Sequence, residues 1–438
     1  MTTLAAMLTG SPYQGYAYAY PHKTAYRRFE PPLDLRDVWA CENRDSLFLY
    51  LHVPFCEMRC GFCNLFTQAN PRKDATESYL SALEREAVAT REKLSEARFA
   101  RIAIGGGTPT FLDVSGLERL FRLVTAMGAS PREVPVSVET SPGTIDDEKL
   151  ALLRDWGTTR ISIGVQSFLE AETSAVMRPQ KRAEVKSALA RIRAVGLPIM
   201  NTDLIYGMPG QTVDSWLTSL LMALEFHPEE LFLYPLYVRP GTGLGRADRT
   251  WDDLRLDCYR EARRVLLDRG YEQVSMRMFC LQGTKADAGP VYCCQEDGMV
   301  GLGCGARSYT RGLHYSREYA VGAAAIRGIL ADYCVRPASA FRTADHGFRL
   351  DREEQRRRYV IQSLLQVAGL SRSQYRRRFE SDVLMDLPEL MDLETHGLAV
   401  VSSDRVQLTS EGIEHSDVIG PWLYSRRVVE LMNQYEGQ

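Results

Sequence analysis

Residues 50–63 read YLHVPFCEMRCGFC and place three cysteines, Cys56, Cys60 and Cys63, at the spacing Cys-x3-Cys-x2-Cys. The apolar run LFLYLHV at 47–53 leads into them and is typical of a buried β-strand. Three thiolates this close can hold one cubane, because iron–sulfur clusters bind through cysteine. One iron would then lack a protein ligand, and an open metal position is where chemistry takes place. The stretch therefore predicts a catalytic [4Fe–4S] cluster at the end of a strand.

Structural zinc is the alternative interpretation of a group of cysteines. A structural zinc site is almost always held by four ligands. The nearest further candidates are His52 and Cys41, and both lie outside the tight loop. The missing fourth ligand favours the iron–sulfur cluster.

Outward from this loop, short apolar runs alternate with segments of helical spacing. The six predicted strands are 47–53, 101–106, 134–140, 160–166, 198–207 and 230–238. The predicted helices between and after them are 77–94, 116–128, 147–157, 182–196, 212–226 and 252–270. This alternation indicates a parallel sheet with right-handed crossovers.

A doubly wound sheet and an open (β/α)6 barrel both fit the alternation. The positions of chemistry-bearing residues decide between them, because these residues recur near the carboxyl ends of the strands. They are the cysteine loop, the Gly-Gly-Gly-Thr run at 105–108, Glu139, Gln166, Asp203 and Tyr237. In a barrel such residues converge on one mouth, whereas in an open sheet they spread along an edge. We therefore predict an α/β fold, an open (β/α)6 barrel.

The segments on either side of the barrel differ from it in character. Residues 1–45 form an aromatic, turn-rich arm with no clean period. From residue 346 the chain reads as helices followed by a short strand, a turn at 402–404, a second strand and a helix start, which we interpret as a winged-helix pattern. The predicted organisation is an arm (1–45), the partial barrel with a following substrate-side segment (46–345) and a winged-helix-like domain (346–438).

Charge and composition narrow the classes of partner. The 438 residues carry 53 basic and 56 acidic side chains, a formal net charge of −3, which makes a nucleic-acid partner unlikely on charge grounds. The basic triplets at 356–358 and 376–378 have acidic neighbours, so we predict that they form solvated helix faces.

Hydropathy and cysteine content bear on the compartment. The strongest apolar run, 231–238, is strand-sized and far shorter than the roughly 18–20 residues of a membrane helix. The first residues lack the pattern of a signal peptide, so we expect a cytoplasmic protein with no membrane partner. The ten cysteines are then expected to be free thiols or metal ligands.

The cysteine spacing resembles that of the radical SAM superfamily, and further motifs occur in the order found in one of its branches. They are YLHVPFC at 50–56, GGGTPT at 105–110, GVQSF at 164–168 and DLIYGMPGQT at 203–212. Together they resemble the branch typified by oxygen-independent coproporphyrinogen III oxidase, the HemN-like branch. That branch also contains haem chaperones and certain radical methyltransferases.

The resemblance implies the cofactors and their chemistry. A [4Fe–4S] cluster would bind S-adenosylmethionine (SAM) through its amino and carboxylate groups, with one or two SAM molecules in the site. One electron would break a C–S bond of SAM and yield a 5′-deoxyadenosyl radical that takes hydrogen from a small-molecule substrate. An electron donor such as a flavodoxin or ferredoxin is the implied protein partner.

The resemblance also implies which residues bind SAM. Tyr50 belongs to the first motif, and Gly106, Gly107 and Thr108 would let the backbone approach the methionine amino group. Side chains near the later strand ends complete the predicted set. Glu139 and Gln166 suit hydrogen bonds to the ribose and amino groups, Arg178 suits the SAM carboxylate, and Asp203 suits a contact with the ribose or with a second SAM.

One departure from the family pattern affects the predicted reaction. The oxidase has a fourth cysteine two residues after the last cluster ligand, and Leu65 stands there in this chain. We therefore expect a two-SAM methyl or methylene transfer first, coproporphyrinogen dehydrogenation second and haem delivery by a chaperone third. Cys293, Cys294 and Cys304 are interpreted as small buried residues, with hydrogen donation as the alternative.

Overall fold

The architecture was obtained from a computed structural model, and the structure describes residues 3–17, 19–239, 241–246, 253–284 and 292–435. Tyr18, which the sequence places in the aromatic arm, lies outside the described residues. Among the helices of the described ranges, none is long and apolar enough to cross a membrane.

The strands fall into one large sheet and two small ones. In chain order they are β1 (Arg27–Asp34), β2 (Leu47–Val53), β3 (Phe55–Cys56), β4 (Gln68–Ala69), β5 (Phe99–Gly106), β6 (Val136–Thr140), β7 (Arg160–Gln166), β8 (Ile199–Tyr206), β9 (Glu230–Pro235), β10 (Tyr271–Gln273), β11 (Met278–Leu281), β12 (Met299–Leu302), β13 (Arg307–Tyr309), β14 (Leu313–Ser316), β15 (Thr343–Arg349), β16 (Leu370–Ser371), β17 (Ala399–Val401) and β18 (Arg405–Leu408).

Helices connect these strands and make up most of the carboxyl-terminal part. They are α1 (Leu4–Leu8), α2 (Leu35–Trp39), α3 (Lys73–Leu94), α4 (Val114–Ala126), α5 (Asp147–Asp155), α6 (Glu170–Ala175), α7 (Arg182–Val195), α8 (Val213–Leu224), α9 (Arg255–Asp268), α10 (Ala323–Val335), α11 (Arg352–Leu364), α12 (Arg372–Phe379), α13 (Val383–Asp386), α14 (Leu390–Thr395), α15 (Ser410–Glu414), α16 (Ser416–Trp422) and α17 (Arg426–Asn433). Short 3-10 helices lie at Lys23–Ala25, Pro109–Phe111, Pro142–Thr144, Leu244–Arg246 and Ala338–Arg342.

Six parallel strands, β2, β5, β6, β7, β8 and β9, lie side by side in chain order, each reached through a helical connection. They are the six predicted strands. The sheet runs on beyond them to antiparallel edges at β1 and β10, so it does not close. The open barrel of the α/β class predicted from the sequence is confirmed.

The predicted strand 230–238 ends early, at Pro235. Proline has no N–H to donate to a neighbouring strand, which favours an end there. The next residue, Leu236, still donates its N–H to the Tyr206 carbonyl at 2.8 Å. The chain then leaves the sheet, so Tyr237 stands beyond the strand and lines the cavity at the barrel mouth.

The arm contributes a strand that its sequence did not reveal. Arg27–Asp34 is the edge strand β1 and pairs antiparallel with β15, with a register shift between Arg28 and Leu33. Its prolines hide the strand pattern, yet an edge strand tolerates proline because one side of it makes no ladder. The boundary expected between residues 345 and 346 falls inside β15, and the division into domains remains a prediction.

The last segment contains helices α11 to α14 packed around the three-stranded sheet β16-β18-β17, with the predicted turn at 402–404 between β17 and β18. The prediction for the first basic triplet was wrong in part, because Arg357 and Arg358 are buried. Arg357 forms ion pairs with Glu353 at 3.0 Å and Glu389 at 3.2 Å. These two acidic residues thus compensate the positive charge of Arg357 and allow its burial.

Candidate functional site

The cysteine loop follows β2 and folds back on itself. The Gln68 amide donates to the Pro54 carbonyl at 2.6 Å, and the Asn70 amide donates to the Cys56 carbonyl at 2.7 Å. Farther along, the Gly61 amide donates to the Val176 carbonyl at 2.9 Å. These bonds fix a short loop that presents Cys56, Cys60 and Cys63 to one cavity.

Each of the three thiols has a polar neighbour from a different part of the chain. Thr108 Oγ1 lies 3.6 Å from Cys56 Sγ, Arg178 Nη1 lies 3.2 Å from Cys60 Sγ, and Thr67 Oγ1 lies 3.7 Å from Cys63 Sγ. Burial raises the pKa of Cys56 to about 12. A thiolate at that position therefore needs a cation beside it.

Close packing of two backbones explains the glycine run. The Gly107 amide donates to the Val53 carbonyl at 2.8 Å, and the Thr108 amide donates to the Phe55 carbonyl at 2.7 Å. A Cβ atom on Gly107 would lie 2.6 Å from the Phe55 oxygen and 3.0 Å from Cys56 Sγ. A side chain at Gly107 would fill the space beside that thiol, so only glycine fits.

Two carboxyl groups lie near the ends of the central strands and line the same cavity. Glu139 accepts the Gly106 N–H at 2.9 Å, and burial raises its pKa to about 7. Asp203 accepts from Asn201 Nδ2 at 2.7 Å and from Ser162 Oγ at 3.2 Å, and burial raises its pKa to about 6. Both groups suit hydrogen bonds to ligand hydroxyl or amino groups.

Gln166 is the last residue of β7, and Arg178 lies in the loop between α6 and α7. Gln166 has a φ of 67° and lines the cavity. Arg178 donates from Nη2 to the Gly164 carbonyl at 2.7 Å, which fixes its guanidinium next to Cys60. The Nε atom of Arg178 is buried without an acceptor among the residues that the structure describes. A carboxylate bound beside the thiols would satisfy it.

Tyr50 and His52 lie on β2 beneath the cysteine loop. The Tyr50 hydroxyl donates to His52 Nδ1 at 3.2 Å, and His52 Nε2 donates to the Phe66 carbonyl at 3.0 Å. Both ring nitrogens are thus engaged by protein groups, which argues against His52 as the fourth ligand of a zinc ion. In the described ranges, no three His, Cys, Asp or Glu side chains converge closely enough to hold a single metal ion. A cubane does not need such convergence, because each thiolate binds a different iron.

One cavity of about 1960 Å³ brings all the predicted site residues together. We call the cysteine loop and the carboxyl ends of β2 and β5 to β8 the strand-end wall. The remaining lining, which we call the covering wall, comes from arm residues 14–16, 19 and 22–24, from the carboxyl-terminal segment 421–435 and from Arg307 at the start of β13. The cavity therefore extends well beyond the strand-end wall.

Sequence reasoning missed six basic residues of this cavity, which are His22, Lys23, Arg239, Arg307, Arg358 and Arg426. None of them lies in a recognisable motif. The only sequence signal that could have identified them is the position of a basic residue among apolar residues. Of the three later cysteines, Cys304 is buried as predicted and Cys293 is half-buried. The prediction was wrong for Cys294, which is exposed and lines the cavity.

Comparison with known proteins identifies the family to which this chain is similar. Residues 50–223 match the Radical SAM superfamily. The haem chaperone HemW of Bacillus subtilis (strain 168) is 28% identical, over 85% of this chain and 98% of its own length. HemW of Escherichia coli (strain K12) is 30% identical, over 59% of this chain and 69% of its own length. The oxygen-independent coproporphyrinogen III oxidase of the same organism is 27% identical, over 91% of each chain.

A solved structure shows the same fold. The coproporphyrinogen III oxidase HemN from Escherichia coli superposes with a TM-score of 0.76 over 97% of both chains, at 23% identity. A [4Fe–4S] cluster and SAM are the cofactors of the radical SAM superfamily, so the cofactors predicted from the sequence are confirmed. The chain belongs to the radical SAM superfamily, in the HemN-like branch that includes HemN-type oxidases and HemW chaperones.

Proposed function

We propose that this chain is a radical SAM enzyme whose cluster is held by Cys56, Cys60 and Cys63. The three thiols suit a cubane, because they lie on one short loop, face one cavity and are flanked by Gly107, which leaves space beside Cys56. When bound, the cluster and SAM supply one-electron cleavage of a C–S bond and a 5′-deoxyadenosyl radical. The chain's own residues position the cofactor and the substrate and exclude water.

The strand-end wall supplies the proposed contacts with SAM. Arg178 would bind the methionine carboxylate, since its Nε lacks an acceptor among the described residues. The backbone of Gly106 to Thr108 would contact the methionine amino group. Glu139, Gln166 and Asp203 would accept from or donate to the ribose and adenine groups. Tyr50 would close this side of the cavity near the cluster.

For the substrate, we propose a tetrapyrrole of the coproporphyrinogen type, dehydrogenated with loss of carbon dioxide from a propionate. The volume of the cavity carries this proposal. Pockets for a single small ligand measure roughly 300–1,000 Å³, and this cavity measures about 1960 Å³. SAM alone would leave a large part of it for a second, bulky molecule. The oxidase and chaperone names of the relatives agree with a tetrapyrrole ligand.

Methyl or methylene transfer, the first expectation from the sequence, is the second candidate. Leu65 stands where the oxidase has a cysteine, and its side chain lines the cavity with 49% of its surface exposed. An apolar group at that place cannot donate a proton or hydrogen atom as a thiol can. The named relatives give methyl transfer no specific support. The cytoplasmic location and the flavodoxin or ferredoxin donor remain predictions.

One anaerobic experiment separates these functions. The reconstituted protein is incubated with SAM, a reductant and coproporphyrinogen III, and the products are analysed by mass spectrometry. Dehydrogenation of one propionate side chain yields a vinyl group, carbon dioxide, methionine and 5′-deoxyadenosine, and the remaining electron of the substrate radical passes to an electron acceptor. Methyl transfer instead yields S-adenosylhomocysteine and moves label from the SAM methyl group into a product.

A haem titration completes the test. A chaperone would bind haem stably and leave coproporphyrinogen unchanged. Failure to form 5′-deoxyadenosine under any of these conditions would contradict the enzymatic proposal itself. Formation of 5′-deoxyadenosine without change in coproporphyrinogen would contradict only the proposed substrate.

A further inference from the structure

The end of β7 makes a turn of a rare kind. The Ser167 amide donates to the Val165 carbonyl at 2.8 Å, which closes a three-residue γ-turn around Gln166. The φ of Gln166 is 67°, and the form of the γ-turn with a positive φ is strained for a residue that carries a side chain. Such a turn persists only where the surrounding structure holds it in place.

The turn also interrupts the pairing of β7 with β8. Gly164 pairs with Asp203. The next pair joins Gln166 to Leu204, so β7 carries one extra residue at this point. A bulge of this kind bends a strand and re-aims a side chain, and bulges are over-represented next to active sites. Here the bulge lies where the Gln166 side chain enters the cavity.

Two of the proposed contacts with SAM meet over Gly164. A Cβ atom on Gly164 would lie 2.8 Å from Gln166 Nε2 and 3.9 Å from Arg178 Nη2. Arg178 Nη1 in turn lies 3.2 Å from the Cys60 thiol. The strained turn therefore directs the Gln166 amide toward the same part of the cavity as the Arg178 guanidinium and the cysteine loop.

Gln180 holds the turn from the side away from the cavity. Its Nε2 donates to the Val165 carbonyl at 2.7 Å and to the Ser167 carbonyl at 2.8 Å. These carbonyls lie on either side of Gln166, so one amide group fixes both ends of the turn. Gln180 lies outside the sequence motifs at 164–168 and 203–212. Its bonds therefore act on the backbone around Gln166.

Glu172 anchors the same turn to the neighbouring strand. Only 5% of its surface is exposed. Its carboxylate accepts from Ser167 Oγ at 2.6 Å and from Gln211 Nε2 at 2.9 Å. Gln211 accepts the Gly207 amide at 2.6 Å, directly after β8. The end of β7 is thus tied through a buried carboxylate to the loop that follows β8.

We propose that Gln180 is a positioning residue that, together with Glu172, holds the γ-turn so that the Gln166 side chain is aimed at SAM. The inference rests on the proposed function, because it assumes that Gln166 contacts SAM. A side chain that is already held in its binding geometry loses less conformational freedom when the ligand arrives. The bonds from Gln180 and Glu172 offset the strain of the turn, which Gln166 alone would relax.

Gln180→Met is the first test, because methionine keeps the length of the side chain and removes its donor. SAM affinity is measured by equilibrium dialysis with the reconstituted protein. We expect SAM to bind about tenfold more weakly, with iron content unchanged, because two hydrogen bonds to the turn are lost. The matched control Gln282→Met removes the bond from an exposed glutamine to Glu272 and should bind SAM normally. Unchanged SAM affinity in Gln180→Met would overturn the positioning role.

A double-mutant cycle separates positioning from a general loss of structure. Gln166→Ala removes the side chain that is positioned, so adding Gln180→Met to it should change SAM affinity by less than about twofold. Glu172→Gln should behave like Gln180→Met and weaken SAM binding only while Gln166 is present. A further tenfold loss from Gln180→Met in the Gln166→Ala background would show that Gln180 acts through the fold as a whole, and would overturn the proposal.

The apoprotein gives a readout that does not depend on SAM. Hydrogen exchange of the peptide that contains Ser167, followed by mass spectrometry, reports the opening of the γ-turn. Exchange in this peptide should be faster in Gln180→Met than in the unmodified chain and in Gln282→Met. Equal exchange in all three proteins would overturn the claim that Gln180 holds the turn.

Two outcomes distinguish this inference from the proposed function. Weaker SAM binding in Gln166→Ala with normal binding in Gln180→Met would overturn the positioning role and leave the proposed function intact. Unchanged SAM affinity in Gln166→Ala would contradict the proposed contact between Gln166 and SAM, and the positioning role with it.

Discussion

The strand-end wall and the covering wall of the cavity are held in place by different means. On the strand-end wall, backbone bonds such as that from the Gly107 amide to the Val53 carbonyl fix the loops directly to the parallel sheet. On the covering wall, the Gly15 amide donates to the Asp417 carbonyl at 3.2 Å, and buried side-chain contacts complete the link between the segments. Arg277 is 4% exposed and Asp417 1% exposed, and they form a buried ion pair at 2.6 Å.

Further contacts extend this ion pair across the covering wall. The Tyr237 hydroxyl donates to Asp417, and the ring of Tyr16 lies 3.7 Å from the Arg277 guanidinium. The pair therefore joins the arm, the barrel and helix α16. The comparison indicates that cofactor binding depends on the sheet, whereas substrate enclosure depends on a few buried polar contacts.

The cysteine loop gives the largest expected effect. Replacing Cys56, Cys60 or Cys63 with Ala should abolish both the cluster and 5′-deoxyadenosine formation, because each thiolate holds one iron of the cubane. Iron and sulfide analysis of the anaerobically reconstituted protein, together with chromatography of the nucleoside, measures both. The matched control Cys41→Ala changes an exposed cysteine outside the loop and should leave both unchanged. SAM cleavage by a variant lacking all three thiols would refute the assignment.

A substitution behind the covering wall should lower the stability of the fold and leave the cluster in place. Asp417→Asn leaves the buried Arg277 without its countercharge, so the free energy of unfolding in urea should fall by about 3–5 kcal/mol. Under conditions where the variant is folded, SAM cleavage without substrate should continue. Arg122→Gln is the control, since its pair with Glu118 is exposed and should be worth less than about 1 kcal/mol. Loss of SAM binding in folded Asp417→Asn would show that the two walls are not independent.

A pH series probes the Glu139 carboxyl group of the strand-end wall. The pKa of Glu139 is raised to about 7 from an ordinary 4.5. Between these values the unfolded chain has lost the proton and the folded apoprotein has kept it. The stability contributed by this group therefore falls as pH rises from 4.5, and the loss is complete above 7. In urea unfolding, Glu139→Gln should gain stability relative to the unmodified chain across this window, by at most about 3 kcal/mol, because exposure of the Glu139 side chain to the open cavity screens the effect.

Asp203 is the control for that series, because its pKa is also raised, but only to about 6. Asp203→Asn should show its relative gain at lower pH than Glu139→Gln. Parallel pH profiles of Glu139→Gln and the unmodified chain would mean that Glu139 ionises as in the unfolded state.

The smallest expected effect concerns SAM affinity. Arg178→Ala removes a charge-assisted contact, so SAM binding should weaken by about 1.5–3 kcal/mol, with iron content unchanged. Equilibrium dialysis of the reconstituted protein measures this. Arg191→Ala, which alters a half-exposed arginine paired with Asp147, should bind SAM normally. Unchanged SAM affinity in Arg178→Ala would contradict the proposed role of Arg178 in binding the SAM carboxylate.

The sequence predicts the strand-end wall well because its residues follow a repeating pattern. Strands 47–53 and 160–166 coincide with β2 and β7 residue for residue. Gln166 and Asp203 could be placed at one mouth because they lie on parallel strands and near the same end. The roles proposed for them in SAM binding remain predictions.

The covering wall could not be predicted in the same way. Lys23 and Arg307 are 284 residues apart and come together only through the turn at Gly305. The strand β1 was hidden by prolines that an edge position tolerates. Arg357 was expected in solvent, since a local count of charges cannot show that Glu353 and Glu389 bind it inside the protein.

The order in which the two walls are synthesised has a consequence for maturation. Residues 56–63 leave the ribosome well before residues 421–435, which cover the cavity from the other side. Domains generally form from the amino terminus during synthesis. The thiols of the nascent barrel would thus face solvent before the covering wall is complete. A cluster that entered at that stage would reach Cys56, Cys60 and Cys63 without passing residues 421–435.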